Sequence, residues 1–278
     1  MSGIYWLASY PKSGNTWLRI FIENYVRNES QPVQINTLPP PNVAYDREII
    51  DDLLGAESAD LSDSMIDLAR PRIYEAAKDW PDFRYLKTHE RHRFNSRGAS
   101  VFADSATAGV ILLVRNPLDV VVSLSRFMST SCGTAIDWLA DESYSLYPQL
   151  DYLSDQLPQL VGSWSSHGQS WLNCGMRTHV VRYEDLVSDP ATHFAEIVRF
   201  LDLPFSAERL NTAVRHSGFK SLQQQEEVGG FRELATGARS FFRSGTSGSG
   251  RRELTPRQVE QLTNEHYGMI QQFGYAQD

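Results

Sequence analysis

The stretch Tyr10-Pro-Lys-Ser-Gly-Asn-Thr-Trp17 gathers a cation, hydroxyls and a glycine into one short turn. Gly14 lets the backbone turn so that successive N–H groups converge on an anion at the positive end of the following helix. Lys12 adds a point charge, and Ser13 and Thr16 add hydroxyl donors. The lysine precedes the glycine, so the stretch is not a Walker A sequence. Taken alone, it is also readable as an ordinary strand-to-helix turn. A second group lies in Leu113-Val-Arg-Asn-Pro-Leu-Asp-Val-Val-Val-Ser123. Arg115 stands at the carboxyl end of a strand, where α/β sheets place ligands. Ser123 lies on the next helix, and a loop between them lets both reach one phosphate. The equal alternative for Arg115 is a structural pair with Asp119. The third candidate is Lys87-Thr-His89, again at a strand's end. An imidazole, which titrates near about 6.5, suits proton removal at neutral pH. Among the seven histidines only His89 has this context, and His92, in an Arg/His-rich loop, reads as solvated.

These side chains need a scaffold. Ile4 to Ser9 reads as a strand and Thr16 to about Arg27 as a helix, with the cradle between them. Phe83 to Thr88, Gly109 to Val114 and His179 to Tyr183 read as further strands. The second of these is an unbroken apolar run, as a strand covered on both faces should be. Asn116-Pro117 opens a helix reaching about Met128, with proline in the first turn. Asp189-Pro190 caps another, and a final helix starts near Pro256. Glu184 and Asp185 read as structural carboxylates at a strand's end. Gln31 to Val43 is a Pro-rich surface connection, followed by two or three amphipathic helices up to Trp80. Thr236 to Arg252, rich in Gly, Ser and Arg, reads as a mobile loop. Strands alternating with helices predict an α/β fold with a central parallel sheet flanked by helices. The expectation is a single domain over residues 1–278.

With 278 residues, 41% of them hydrophobic, the chain can bury a full core. Its net charge of −8 argues against nucleic acid or anionic membrane as a broad partner, since both need a basic face. A few local cations and amides can still hold a small anion. Cys132 and Cys174, without a CxxC or Cys/His cluster, fit a reducing compartment and argue against structural zinc. The N-terminus has no basic n-region and only a short apolar stretch, so it reads as a strand and not as a signal peptide or anchor. A cytoplasmic location is expected.

Ser9 to Trp17 resembles the 5′-phosphosulfate loop of sulfotransferases that use 3′-phosphoadenylyl sulfate (PAPS), and Arg115 to Ser123 resembles their 3′-phosphate motif. Lys87-Thr-His89, Arg182-Tyr-Glu-Asp-Leu186 and Phe242-Arg-Ser-Gly-Thr-Ser-Gly248 match further family motifs in the expected order. The similarity runs from about residue 4 to 275. The opening stretch is especially similar to bacterial sulfotransferases that tailor glycopeptide antibiotics. The resemblance implies a P-loop-like sheet in which Lys12, Ser13, Gly14, Asn15 and Thr16 hold the 5′-phosphosulfate. Trp17 and Tyr183 would lie against the adenine, where stacking contributes about 1–3 kcal/mol in related settings. Arg115, Ser123 and Arg243, with the backbone around Gly245, would bind the 3′-phosphate, and Ser217 and Phe219 would line the nucleotide. Two departures stand out. Ser244 replaces the usual lysine, and Gly250 stands where tryptophan is common. They imply a looser 3′-phosphate lobe, or one closed by Arg251 or Arg252. The animal dimerisation motif survives in part, as Arg251…Thr255-Pro256…Glu260. A homodimer stays open, but Pro256 disfavours that strand-like pairing.

The implied chemistry is an in-line displacement in which positioning and electrostatics dominate. His89 would take the acceptor's proton, Lys12 would stabilise charge on the departing oxygen, and Lys87 would serve as a second cation. No metal is called for. A P-loop kinase would need lysine directly after the glycine, where Asn15 stands, and a magnesium-binding carboxylate where the strand ends in Arg115. A non-catalytic adenine-nucleotide-binding module would have no use for both Lys12 and His89. No G-x-S-x-G elbow supports a serine hydrolase. The expected acceptor is a hydroxyl of a small molecule, first a phenol on a natural product, with sterol, alkyl and sugar alcohols open. Its walls are expected from residues about 30–80, 90–105 and 130–165.

Overall fold

Ile4 to Ala8 are apolar in succession, a pattern that leaves no face for water. Ile4–Ser9 accordingly forms strand β1 with every residue buried. Strand β2, Tyr85–Thr88, runs parallel to it, with Tyr5 opposite Tyr85 and Ala8 opposite Thr88. Strand β3, Thr107–Val114, is buried over its last six residues. Two short strands, β4 (Ser145–Leu146) and β5 (Gln159–Leu160), pair as an antiparallel ribbon. With β6, Thr178–Arg182, the main sheet has the order β2-β1-β3-β6. The expected α/β architecture is present.

This computed structural model describes residues 3–40, 43–147, 154–234, 238, 240–243 and 245–276. The chain divides into two compact units. The first comprises Met1–Tyr10, Pro40–Leu112 and Asp141–His179, and the second Pro11–Pro39, Leu113–Ala140 and Val180–Asp278.

In the first unit Trp6 is fully buried, edge-on to Tyr74 at 5.1 Å and Phe102 at 5.0 Å, its indole N–H donating to the Thr107 hydroxyl at 3.0 Å. Truncating such a ring to alanine costs about 3–5 kcal/mol. Helices α2 (Arg47–Leu54) and α3 (Asp63–Ala77), capped by Asp46 and Ser62, lie where two or three amphipathic helices are expected before Trp80. In the second unit, helix α1 (Asn15–Arg27) buries Leu18, Phe21, Ile22 and Tyr25, the spacing of a single face. Helix α4 (Pro117–Phe127) starts as expected: Asn116 accepts from the Leu118 N–H and Pro117 occupies the first turn.

Several boundaries differ from expectation. Pro81–Phe83 is a 3₁₀ turn, so β2 starts at Tyr85 and not at Phe83. Proline after Trp80 fixes the backbone angle that opens this turn. Tyr183 does not end β6; it opens the helix Tyr183–Ser188, whose first turn carries Glu184 and Asp185, acids that suit the positive end of a helix. The connection from Gln31 is not confined to the surface. Val33, Ile35 and Leu38 are buried with Ile20, Leu222, Phe231 and Phe242, held by Asn24, which accepts from the Val33 N–H, and Gln225, which accepts from the Ile35 N–H. The expected mobile loop contains a helix, Ser249–Glu253. Residues 236, 237, 239 and 244 of that loop lie outside the described residues. The segment at Thr255 is helical too, with Thr255 and Gln258 forming a capping box and Pro256 in the first turn.

Candidate active site

In the second unit the turn before α1 is built around Gly14. Its φ is 104°, and a Cβ there would lie 2.7 Å from the Tyr183 ring, so both conformation and space demand glycine. Lys12 also has positive φ, 69°, an uncommon state for a residue with a side chain. The Lys12 ammonium lies 3.7 Å from the Phe127 ring centroid and 4.1 Å from that of Phe241. Such contacts contribute about 0.5–2 kcal/mol each. Ser13 is fully buried and its hydroxyl has no hydrogen-bond partner among the described residues. Thr16 donates to Glu233 at 3.2 Å, and Arg19 pairs with the same carboxylate at 2.9 Å.

Arg115 ties this turn to the C-terminal segment. One guanidinium nitrogen donates to the Lys12 carbonyl at 3.2 Å and the other to the Thr246 carbonyl at 3.3 Å. Its face lies 4.3 Å from the Tyr183 centroid, while its buried Nε has no partner among the described residues. Burial pushes the Tyr183 phenol up, and the Arg115 charge opposes that shift. Trp17 stands edge-on to Tyr183 at 5.8 Å and donates its indole N–H to the Ser217 carbonyl at 2.9 Å. The Ser217 hydroxyl donates to the Ala213 carbonyl at 2.6 Å. Gly245, at φ 61°, presses so closely on Phe219 that a Cβ would overlap the ring.

In the first unit, Nδ1 of His89 lies 2.7 Å from the Ser9 carbonyl oxygen. A carbonyl can only accept, so Nδ1 carries the proton and Nε2 of the neutral ring carries the lone pair. The His89 N–H donates to Gln159 Oε1 at 3.2 Å. Behind it, Thr88 bonds Tyr45, and Tyr45 donates to the fully buried Glu90 at 3.0 Å. Arg70 meets Glu90 at 2.7 Å and Arg93 joins the same carboxylate. Removing one member of such a buried pair costs about 3–5 kcal/mol. His167 is hydrogen-bonded to the main chain of His89, and burial lowers its pKa to about 3. It stands edge-on to Tyr10 at 5.8 Å, and Tyr10 lies 6.5 Å from Tyr144. Lys87 is half-buried on β2, its Cα opposite Leu7.

A family model described as the sulfotransferase domain matches residues 4–268. The chain belongs to the sulfotransferase family. Curated relatives include Sulfotransferase 2A2 of Rattus norvegicus, 25% identical over 91% of this chain and 79% of the relative. The 3-beta-hydroxysteroid sulfotransferase of Cavia porcellus is 26% identical over 92% of this chain and 79% of its own length. Among solved structures, a mouse sulfotransferase complexed with PAP shares the fold with a TM-score of 0.58 at 21% identity, over 95% of this chain and 83% of that one. A retinol dehydratase in complex with androsterone and PAP gives 0.60 at 18% identity, over 96% and 80%. The enzyme class implied by the motifs, a PAPS-dependent sulfotransferase, agrees with this membership.

Within this sulfotransferase the motif residues fall into the two groups described. Lys12 to Trp17, Arg115, Tyr183, Ser217, Phe219 and Gly245 form one chain of contacts. Ser123 lies on α4 one turn before Phe127 and is half-buried, and Arg243 is exposed. Lys87 and His89 stand at the end of β2 in the other unit. His92 is not solvated. It is buried, its Nε2 3.0 Å from the Ser100 hydroxyl, and desolvation lowers its pKa. Ser244 lies outside the described residues. At Gly250 a Cβ would overlap the Leu118 backbone, so the position where tryptophan is common is here a close approach to α4. Arg251 and Arg252 are exposed. Phe127, Glu233, Gln159 and His167 carry no spacing signal in the sequence and join these groups only in the fold. The aromatic pair Phe241-Phe242 directly before Arg243 was the one visible hint.

Proposed function

We propose that this sulfotransferase moves the sulfuryl group of PAPS onto a hydroxyl of a small acceptor, with His89 as general base. The observation that carries the nucleotide half is the buried, unpartnered Ser13 hydroxyl in a turn where Gly14 has no room for a side chain. A buried hydroxyl without a partner costs about 1–3 kcal/mol, and an anion seated on the turn would satisfy it. The unpartnered Arg115 Nε supports a second anionic group nearby. PAPS, when bound, supplies the activated sulfuryl group and a bisphosphate leaving group.

Lys12, Ser13, Asn15 and Thr16 hold the 5′-phosphosulfate, and Arg115, Ser123 and Arg243 the 3′-phosphate. Trp17, Tyr183 and Phe219 bound the adenine. The lone pair of His89 Nε2 removes the acceptor proton as the oxygen attacks sulfur. Lys12 then leaves its aromatic neighbours to stabilise the departing oxygen, with Lys87 as a second cation. Solved structures in complex with PAP share this fold, which supports the reading.

For the acceptor, two readings compete. The phenol of a natural product rests on the bacterial resemblance of the opening stretch. An alicyclic alcohol is favoured by the relative named as a hydroxysteroid sulfotransferase. Radiolabelled PAPS assayed against phenols, hydroxysteroids and sugar alcohols separates them. Label entering only the steroid panel would replace the first reading by the second. Label transferred to no hydroxyl in any panel would overturn the proposal.

A further inference from the structure

Asp119 lies in the first turn of α4 and is 2% exposed. Its side chain accepts from the Gly248 N–H at 2.8 Å, the Gly250 N–H at 2.6 Å and the Ser249 hydroxyl at 3.1 Å. The same carboxylate lies 3.7 Å from Arg115. A buried carboxylate with three donors and a cation is well satisfied, and each charge-assisted bond is stronger than a neutral one. Asp119 therefore anchors the segment 248–250, and Arg115 grips the same segment through the Thr246 carbonyl. Gly250 completes the seam by packing directly on the Leu118 backbone.

We infer that Asp119 is a positioning residue that sets selectivity for a nucleotide bearing a 3′-phosphate. It does so by holding the C-terminal segment against α4 and Arg115 in one orientation. The inference rests on Arg115 as the 3′-phosphate ligand. The carboxylate itself need not touch the nucleotide. Its bonds consume the Gly248 and Gly250 amides, so the phosphate is left to Arg115 and the more N-terminal part of the segment. Without Asp119 the segment is released, and Arg115 loses both an anionic neighbour and the fixed position of the Thr246 carbonyl to which it donates. ADP, lacking the 3′-phosphate, makes no use of this arrangement.

The test measures affinities for adenosine 3′,5′-bisphosphate and ADP by calorimetry, with kcat and KM for PAPS. In Asp119→Ala, affinity for the bisphosphate should fall about tenfold, the equivalent of one charge-assisted bond, while ADP affinity hardly changes. KM for PAPS should rise in parallel, with kcat at saturation retained. Asp119→Asn should fall between, because its amide oxygen can still accept from Gly250 and Ser249 but its NH₂ opposes the Gly248 N–H. Gly250→Ala pushes the segment off Leu118 with Asp119 intact, and should lower the bisphosphate-to-ADP preference in the same way. This second variant decides the matter if Asp119→Ala does not fold. An unchanged preference, or an equal loss for both nucleotides, would overturn the inference. A wild-type protein that does not prefer the bisphosphate would instead remove the PAPS reading, and this inference with it.

Discussion

Nδ1 of His89 lies 2.7 Å from the carbonyl oxygen of Ser9, the last residue of β1. The contact fixes ring orientation and tautomer together, and leaves Nε2 as the only basic atom of the neutral ring. If that atom takes the acceptor proton, His89→Ala should lower single-turnover transfer by about 10²–10⁴. The thermal shift caused by adenosine 3′,5′-bisphosphate should stay nearly unchanged. Turnover close to wild type would remove His89 from the mechanism.

His167 makes stability pH-dependent. Its folded pKa, lowered to about 3 by burial, lies below the ordinary value of 6.5 that it regains on unfolding. Between those values the unfolded chain binds more protons, so stability falls as pH falls. The contribution is complete above about pH 6.5, and each pH unit below it costs up to about 1.4 kcal/mol. From pH 6.5 to 5 this amounts to about 2 kcal/mol, or about 4–8 °C in Tm. His167→Gln should show a distinctly shallower fall in scanning calorimetry. An equal slope in both proteins would contradict the assignment.

Gly14→Ala should abolish nucleotide binding. The substitution meets a φ of 104° and a contact of 2.7 Å with Tyr183, a ring that also packs against Arg115. A strained non-glycine conformation alone costs about 1–3 kcal/mol. Fluorescence titration should find no saturable binding in a folded variant. Gly98→Ala, at φ 73° but with open space around it, is the control for backbone strain and should bind normally.

The parts of the fold readable from the chain were those where local chemistry and global position agree. The apolar run of β1, the Gly14 turn and the Asn116-Pro117 cap each have one physically sensible outcome. Boundaries slipped where a local signal was weaker than its neighbours: Tyr183 has strand propensity, yet the two acids after it open a helix. Val33, Ile35 and Leu38 looked like a linker because prolines follow them, but side-chain amides from Asn24 and Gln225 pull that segment inward. No pattern in sequence announces such tertiary hydrogen bonds. The same holds for the candidate site. Lys12, Arg115 and His89 stand in motifs, whereas Gln159, His167 and Phe127 reach their partners only through the folded backbone. Asp119 was visible as a partner for Arg115, but its grip on Gly248 and Gly250 was not.

The most direct test compares melting temperatures with adenosine 3′,5′-bisphosphate, ADP and Mg-ATP at equal concentration. A ligand at one hundred times its dissociation constant adds about 2.7 kcal/mol. For a chain of this size that raises Tm by about 5–10 °C. The bisphosphate should give this rise and ADP a clearly smaller one, and Arg115→Ala should erase most of the difference. An equal or larger shift with ADP or Mg-ATP would contradict the PAPS reading and favour a kinase.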